Sequence, residues 1–134
     1  MLYLETFLNS FSQVFLIKSP FFGFFIFAGM LIAQPRLLTF SALGAIVGIF
    51  FAKMIGVENS IIQAGLMGFN AALVGVACGV LIQKNEYVII AVLLGSALTV
   101  LIQLLSMKYE ISIFTLPFVI VAMIVFFLKP LLGI

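Results

Sequence analysis

The chain has 134 residues, of which 66% are hydrophobic and 7% charged, with a net charge of +2 and a mean hydropathy of +1.44. Soluble domains carry roughly 25% charged residues, so a soluble fold of this length is excluded, and the small net charge gives nucleic acid nothing to grip. Lipid offers the backbone no hydrogen bonds, which leaves helices or a closed barrel. The long unbroken apolar runs lack the alternation of barrel strands, so an all-α integral membrane protein is expected, a single transmembrane domain over 1–134.

Residues 2–17 differ from the rest. Glu5, Asn9, Ser12 and Gln13 fall on one helical face, and Leu4, Phe7, Leu8, Phe11, Val14 and Phe15 on the other. This is an amphipathic pattern. A core of about 12 residues spans ~18 Å, roughly half a bilayer core, so the helix either lies in the interface or enters the protein as a half-spanning helix. Lys18-Ser19-Pro20 breaks it. A short Phe-rich span follows, Phe21 to Gln34, then a turn at Gln34-Pro35-Arg36 and a second span, Leu37 to Met54. Gly44 and Gly48 in that span form a small-xxx-small contact motif. Gly56 to Ser60 is a polar turn with Asn59 or Ser60 as the helix cap. The third span is expected from Ile61 to Gln83, the fourth from Tyr87 to Met107, and the fifth from near Ile111 to near Lys129-Pro130. The fold expected is five transmembrane helices plus an N-terminal half-spanning helix. No removable signal peptide is expected, because a basic stretch leading to a small-residue cleavage site is missing.

With five spans, Lys18, Lys53 and Lys108 lie on one side of the membrane and Arg36, Lys84 and Lys129 on the other. Orientation follows the Lys/Arg asymmetry, and here there is none. Either six charges are too few to judge, or the chain inserts both ways and pairs with an inverted copy of itself.

Four acidic residues, no His and a lone Cys78 in an apolar run leave no acid–base constellation and no ordinary zinc site. An enzyme is therefore not expected, nor a metal or other cofactor. The polar residues inside apolar segments are the remaining candidates. In the third span Gly68, Ala72, Gly75 and Gly79 share one stripe, and Phe69, Leu73, Val76 and Val80 a second, about a quarter-turn away. The first suits close helix packing; the second is either ordinary packing or a wall. Asn70 lies on neither stripe, which fits a paired structural amide. Thr115 stands two residues before Pro117, which leaves a carbonyl near residue 113 without its donor. That is either a simple kink or a set of acceptors for a donor-rich solute. Gln13 either rests on headgroups or faces a pathway.

Gly65-Leu-Met-Gly-Phe-Asn-Ala-Ala-Leu-Val-Gly75 resembles the GLxGFNxxLVG segment of the urea transporter family. Gln13-Val14, with Pro20 and Gly23 after it, is similar to that family's QVxFxxNPxxG segment, and Thr115-Leu-Pro-Phe118 to its TxPF segment, in the same chain order. The resemblance is to one of the family's two homologous, oppositely inserted halves, each with five spans and a half-spanning helix. It implies a passive channel for urea, with aromatic slots and a ladder of oxygen acceptors. It implies a pore formed between two inverted copies of this chain, a homodimer, with three such dimers as the larger assembly. Carried over, Phe69 is a slot residue, Leu73 a filter wall, Thr115 a ladder oxygen, and Gln13 and Val14 pore-mouth residues. The family's Phe three positions after the Gln is Leu16 here, which offers less flat wall and leaves ammonia, another short amide or water as alternative solutes. A non-conducting subunit that only packs with other membrane proteins is the other alternative. The expected location is a multi-pass position in the cell membrane, the inner membrane if bacterial, with the lipid bilayer as surroundings.

Overall fold

The computed structural model describes residues 2–13, 19–63, 65–109 and 116–133, without the side chains of Leu2 and Tyr3. The described residues form the helices α1 (Leu2–Ser12), α2 (Pro20–Ala33), α3 (Pro35–Met54), α4 (Asn59–Gln63), α5 (Gly68–Leu81), α6 (Asn85–Lys108) and α7 (Leu116–Leu132). The boundaries follow local chemistry. The Ser19 hydroxyl accepts the Phe22 N–H at 3.3 Å and Pro20 supplies the pre-set first-turn φ of α2. Gln34 alone separates α2 from α3: its N–H donates to the Met30 carbonyl at 2.7 Å, and its own carbonyl accepts the Leu38 N–H at 3.0 Å. Pro35 then opens α3.

The expected second and fourth spans match α3 and α6 to within two residues at each end. The expected third span does not stand as one helix. The chain turns between α4 and α5, and Gly65 there has a φ of 85°, a left-handed conformation that glycine adopts without strain. Asn59 opens α4 and the cap position falls to Glu58, whose carbonyl accepts the Ile61 and Ile62 N–H groups at 3.1 and 3.2 Å. The last helix runs past the expected stop, carrying Pro130 within its final turn.

Among the described helices, α3 and α6 have both the length and the apolarity to cross a membrane, while α2, α5 and α7 are apolar but shorter. At 1.5 Å per residue the 14 residues of α5 extend about 21 Å. It is also the most enclosed helix, packed by α1, α3, α6 and α7. The molecule is apolar outside as well as inside. Large apolar side chains such as Phe21, Ile32, Phe50, Leu94 and Leu131 are exposed, far beyond the patches a soluble monomer carries.

The α3–α5 seam holds the centre. As α3 numbers fall from Gly48 to Leu37, their partners on α5 rise from Met67 to Gly79, so the two helices are antiparallel. A Cβ on Gly48 would stand 2.7 Å from the Ala71 Cβ, one on Gly44 would meet the Ala71 carbonyl, and one on Gly75 would meet the Phe40 carbonyl. A Cβ on Gly79 would lie 2.8 Å from Leu37 Cδ2. The Ser41 hydroxyl donates across the seam to the Ala72 carbonyl at 3.0 Å. Two apolar clusters flank it. One is built around Phe40, Val74, Cys78, Val92 and Val121, the other around Ile49, Ala52, Ile62, Met67 and Val100.

Candidate functional site

The candidate site lies where α1 meets the break before α5. Thr6, Asn9, Ser10 and Gln13 recur at helical spacing and are all buried. The polar face of α1 therefore points into the protein and does not rest on headgroups. Glu5, expected on that face, is exposed; the inward stripe lies one position further round, on Thr6 and Ser10. Phe11 packs below this stripe, edge-on to Phe7 at 5.1 Å and to Phe27 of α2 at 5.8 Å.

Backbone contact fixes the helix in place. The Asn9 amide donates to the Gln63 carbonyl at 2.8 Å, satisfying the end of α4. A Cβ on Gly65 would run into the Asn9 and Ser10 backbone, one on Gly68 would meet the Ser10 hydroxyl, and one on Gly23 would meet the Leu8 carbonyl. Three glycines thus let α1 seat against α2, the α4–α5 turn and α5. The Ser12 hydroxyl closes the end of α1, donating to the Asn9 carbonyl at 3.1 Å and accepting the Ser19 N–H at 3.2 Å. The Asn9 Oδ1 is buried and has no hydrogen-bond partner among the described residues.

On α5 the small-residue stripe, Gly68, Ala72, Gly75 and Gly79, is buried throughout. The bulky stripe opens gradually: Phe69 is 2% exposed, Leu73 and Val76 are half-buried, and Val80 is 64% exposed. Asn70 is 1% exposed and its Oδ1 accepts the Phe118 N–H at 3.2 Å. That N–H belongs to the first turn of α7, where the helix offers no internal acceptor. Asn70 is a paired amide joining α5 to α7.

Of the sequence-predicted pathway residues, Gln13, Phe69 and Leu73 lie in or beside this region. Val14, Leu16 and Thr115 fall outside the described residues, as does Lys18. The described parts of the other two motif segments each adjoin the start of α5. α1 seats on Gly68, and the Pro117-Phe118 turn is tied to Asn70, next to Phe69.

Arg36 is an anchor that sequence reasoning missed. Its guanidinium donates to the Gly79 carbonyl, to the Ile82 and Gln83 carbonyls at 3.2 Å, and to Asn85 Oδ1 at 3.3 and 3.2 Å. It also stacks 5.1 Å from the Phe40 ring centre. A planar fork suits several carbonyls at a helix C-terminus, where the dipole also favours a cation. The available signal was one arginine in a chain whose other cations are all lysines.

The described residues form an all-helical fold clothed in apolar side chains, with a short amphipathic helix turned polar-side inward, which is the fold of a membrane-embedded protein. A family model for urea transporters matches residues 4–132. The chain belongs to the urea transporter family. It is 30% identical over 123 residues to urea transporter 1 of Rattus norvegicus, an alignment covering 87% of this chain and 32% of that protein. It is 29% identical over 123 residues to urea transporter 1 of Mus musculus. Urea transporter 1 of Ovis aries is 30% identical over 118 residues, covering 83% of this chain and 31% of that protein. The chain spans about a third of the length of the curated relatives it matches.

Proposed function

We propose that the chain forms one half of a passive pathway for urea, completed by a second copy inserted the other way up. The observation that carries this reading is that the described parts of the other two motif segments, in α1 and in the first turn of α7, each adjoin the start of α5. An interrupted backbone at membrane depth is tolerated where it is buried in protein or lines a cavity. Interrupted helices at the centre of a repeat are where transporters hold their solutes. Here α1 packs on Gly65 and Gly68 and the first turn of α7 is bonded to Asn70, so both adjoin the start of α5, and the Phe69–Val80 stripe runs along that helix with rising exposure.

In this reading Phe69 and Leu73 form the flat wall against which planar urea slides. The Thr115 hydroxyl and the carbonyls beside it accept its N–H groups, and Gln13, Val14 and Leu16 shape the mouth. A narrow filter without fixed charge gives ions no compensation for lost hydration. Urea is the solute the family points to; Leu16 in place of an aromatic widens the slot toward other short amides. The helices α2, α3, α4–α5, α6 and α7 make five crossings, the short ones completed by flanking turns and local thinning of the bilayer. The three-against-three division of cations favours neither orientation, which supports the inverted pair, and three pairs make the larger assembly in the cell membrane.

Purified chain in liposomes, followed by stopped-flow light scattering after a urea step, tests this. Fast re-swelling is expected. Thr115→Val keeps the shape and removes one acceptor; losing about 1 kcal/mol of hydrogen bonding slows flux about fivefold. Phe69→Leu is preferred to alanine because a buried Phe→Ala change costs about 3–5 kcal/mol. Urea flux equal to that of empty liposomes sinks the transport reading. Conduction by chains whose N-termini all label from one face sinks the inverted pair.

A further inference from the structure

At the membrane end that carries Arg36, the outer face of α6 and α7 forms an open groove of about 400 Å³. Ile90, Leu94 and Leu98 on α6 and Val121, Ile124 and Leu128 on α7 line it. Its floor exists because Gly95 brings the helices together: a Cβ there would lie 3.0 Å from Val121 Cγ1. Tyr87 and Lys129 close one end. Beyond them Lys84, Lys129 and Gln83 line a polar recess of about 340 Å³.

We propose that this groove seats one acyl chain of an anionic phospholipid whose phosphate is held by Lys84 and Lys129. Three observations carry the proposal. The groove runs along α6 from Tyr87 to Leu98, which at 1.5 Å per residue is about 16 Å, the depth of one leaflet of a ~30 Å hydrocarbon core. The two ammonium groups stand at its headgroup end without a hydrogen bond or ion pair among the described residues; Lys84 only overlies the Tyr87 ring, at 5.8 Å. Arg36, at the same end, is instead fully engaged by carbonyls and Asn85. No acidic side chain is among the described residues that line the groove or the recess; Glu86, two positions from Lys84, is exposed and lines neither. Two cations lining one recess at a membrane boundary suit an anion from outside the chain. A phosphodiester with a hydrocarbon tail supplies both the charge and the filling.

The sequence contains no tryptophan, so Leu94→Trp places a single fluorophore at the groove on a residue that is 71% exposed. The full chain is reconstituted in phosphatidylcholine with either phosphatidylglycerol or phosphatidylcholine brominated along its acyl chains. Phosphatidylglycerol should quench at a lower mole fraction, by about fivefold per lysine. Adding K84Q and K129Q, singly and together, should remove the preference stepwise. Ile32→Trp, exposed on α2 at the same membrane end, should show no preference. Equal quenching by the two lipids at Leu94→Trp overturns the proposal. So does a preference that survives K84Q/K129Q, or one that appears equally at Ile32→Trp. A tryptophan at position 94 that neither lipid quenches places a second copy over the groove and overturns it as well. None of these readouts depends on urea flux.

Discussion

Gly75→Ala tests the seam on which the whole bundle rests. The added methyl would meet the Phe40 carbonyl and stand 2.7 Å from Ser41 Cα. These atoms are α3 backbone, held in its helical hydrogen bonds, so no side chain can rotate away. The helices must separate. Overpacking of a well-filled core costs about 1–3 kcal/mol, and a clash with backbone belongs at the upper end. Alanine recovers about 1 kcal/mol through its better helix propensity, leaving a net loss of about 2 kcal/mol. For a chain of this length 1 kcal/mol moves the melting temperature by roughly 3–5 °C, so a fall of about 6–10 °C is expected.

The chain supplies its own reporter. Cys78 is its single cysteine, it lies three residues further along α5, and it is 1% exposed. Labelling by a fluorogenic maleimide during a temperature ramp in detergent reports the opening of α5. The control is Gly29→Ala, also within a helix but with nothing within 4 Å of the new methyl; it should hold or raise the melting point. A Gly75→Ala protein that labels at the wild-type temperature, or a Gly29→Ala protein that falls equally, would refute the claim that backbone contact rather than propensity makes glycine necessary at position 75.

The same assay separates four further substitutions. Asn70→Ala strips the Phe118 N–H of its acceptor and leaves it buried, which costs about 1–3 kcal/mol; unchanged melting would mean another group takes over the cap. Arg36→Lys keeps the charge but replaces a five-donor fork by a point donor, and should cost about 1–2 kcal/mol with earlier labelling of Cys78. Gly65→Ala and Gly56→Ala form a pair. Both glycines have a φ near 85°, so each alanine carries about 1–2 kcal/mol of left-handed strain. Only Gly65 also abuts the Asn9 backbone. Gly65→Ala should therefore melt well below Gly56→Ala, and equal melting of the two would remove the packing role assigned to Gly65.

Where the sequence was legible, local chemistry decided the outcome. Pro20 and Pro35 start helices wherever they sit, and Lys53 to Ser60 cannot continue a buried apolar helix, so α2, α3 and α6 fall where composition puts them. The break between α4 and α5 was hidden because residues 61–82 are apolar almost throughout, and hydropathy does not distinguish a glycine that packs from one that turns. Gly65 turns; Gly68, Gly75 and Gly79 pack. The side of α1 that faces inward was equally undetermined, since a polar stripe suits water, headgroups or a buried partner. What settles it is the carbonyl of Gln63, 54 positions away, a partner that helical periodicity cannot reveal. In the sequence Arg36 is one charge in a topological count, and its bonds to the end of α5 depend on the antiparallel register of α3 and α5.

That register also bears on how a pathway at this site keeps its shape. Phe69 and Leu73, the proposed wall residues, ride on the same helix as the packing glycines, a quarter-turn away. Any movement that widens the wall must therefore shift α5 against α3. It must do so through contacts made by glycines and backbone atoms, which have no rotamers to absorb the change. Asn70 adds a second restraint by coupling α5 to the turn that follows Thr115. A solute path bounded by these elements is set by the backbone and is closer to a fixed aperture than to a gate. In the proposed pathway selectivity rests on side chains, and Leu16, where this chain departs from the family pattern, is the position at which to look for a changed solute. Leu16→Phe should restore the flat wall and narrow the passage. In the liposome assay it should raise the ratio of urea to formamide flux, and an unchanged ratio would place the filter elsewhere.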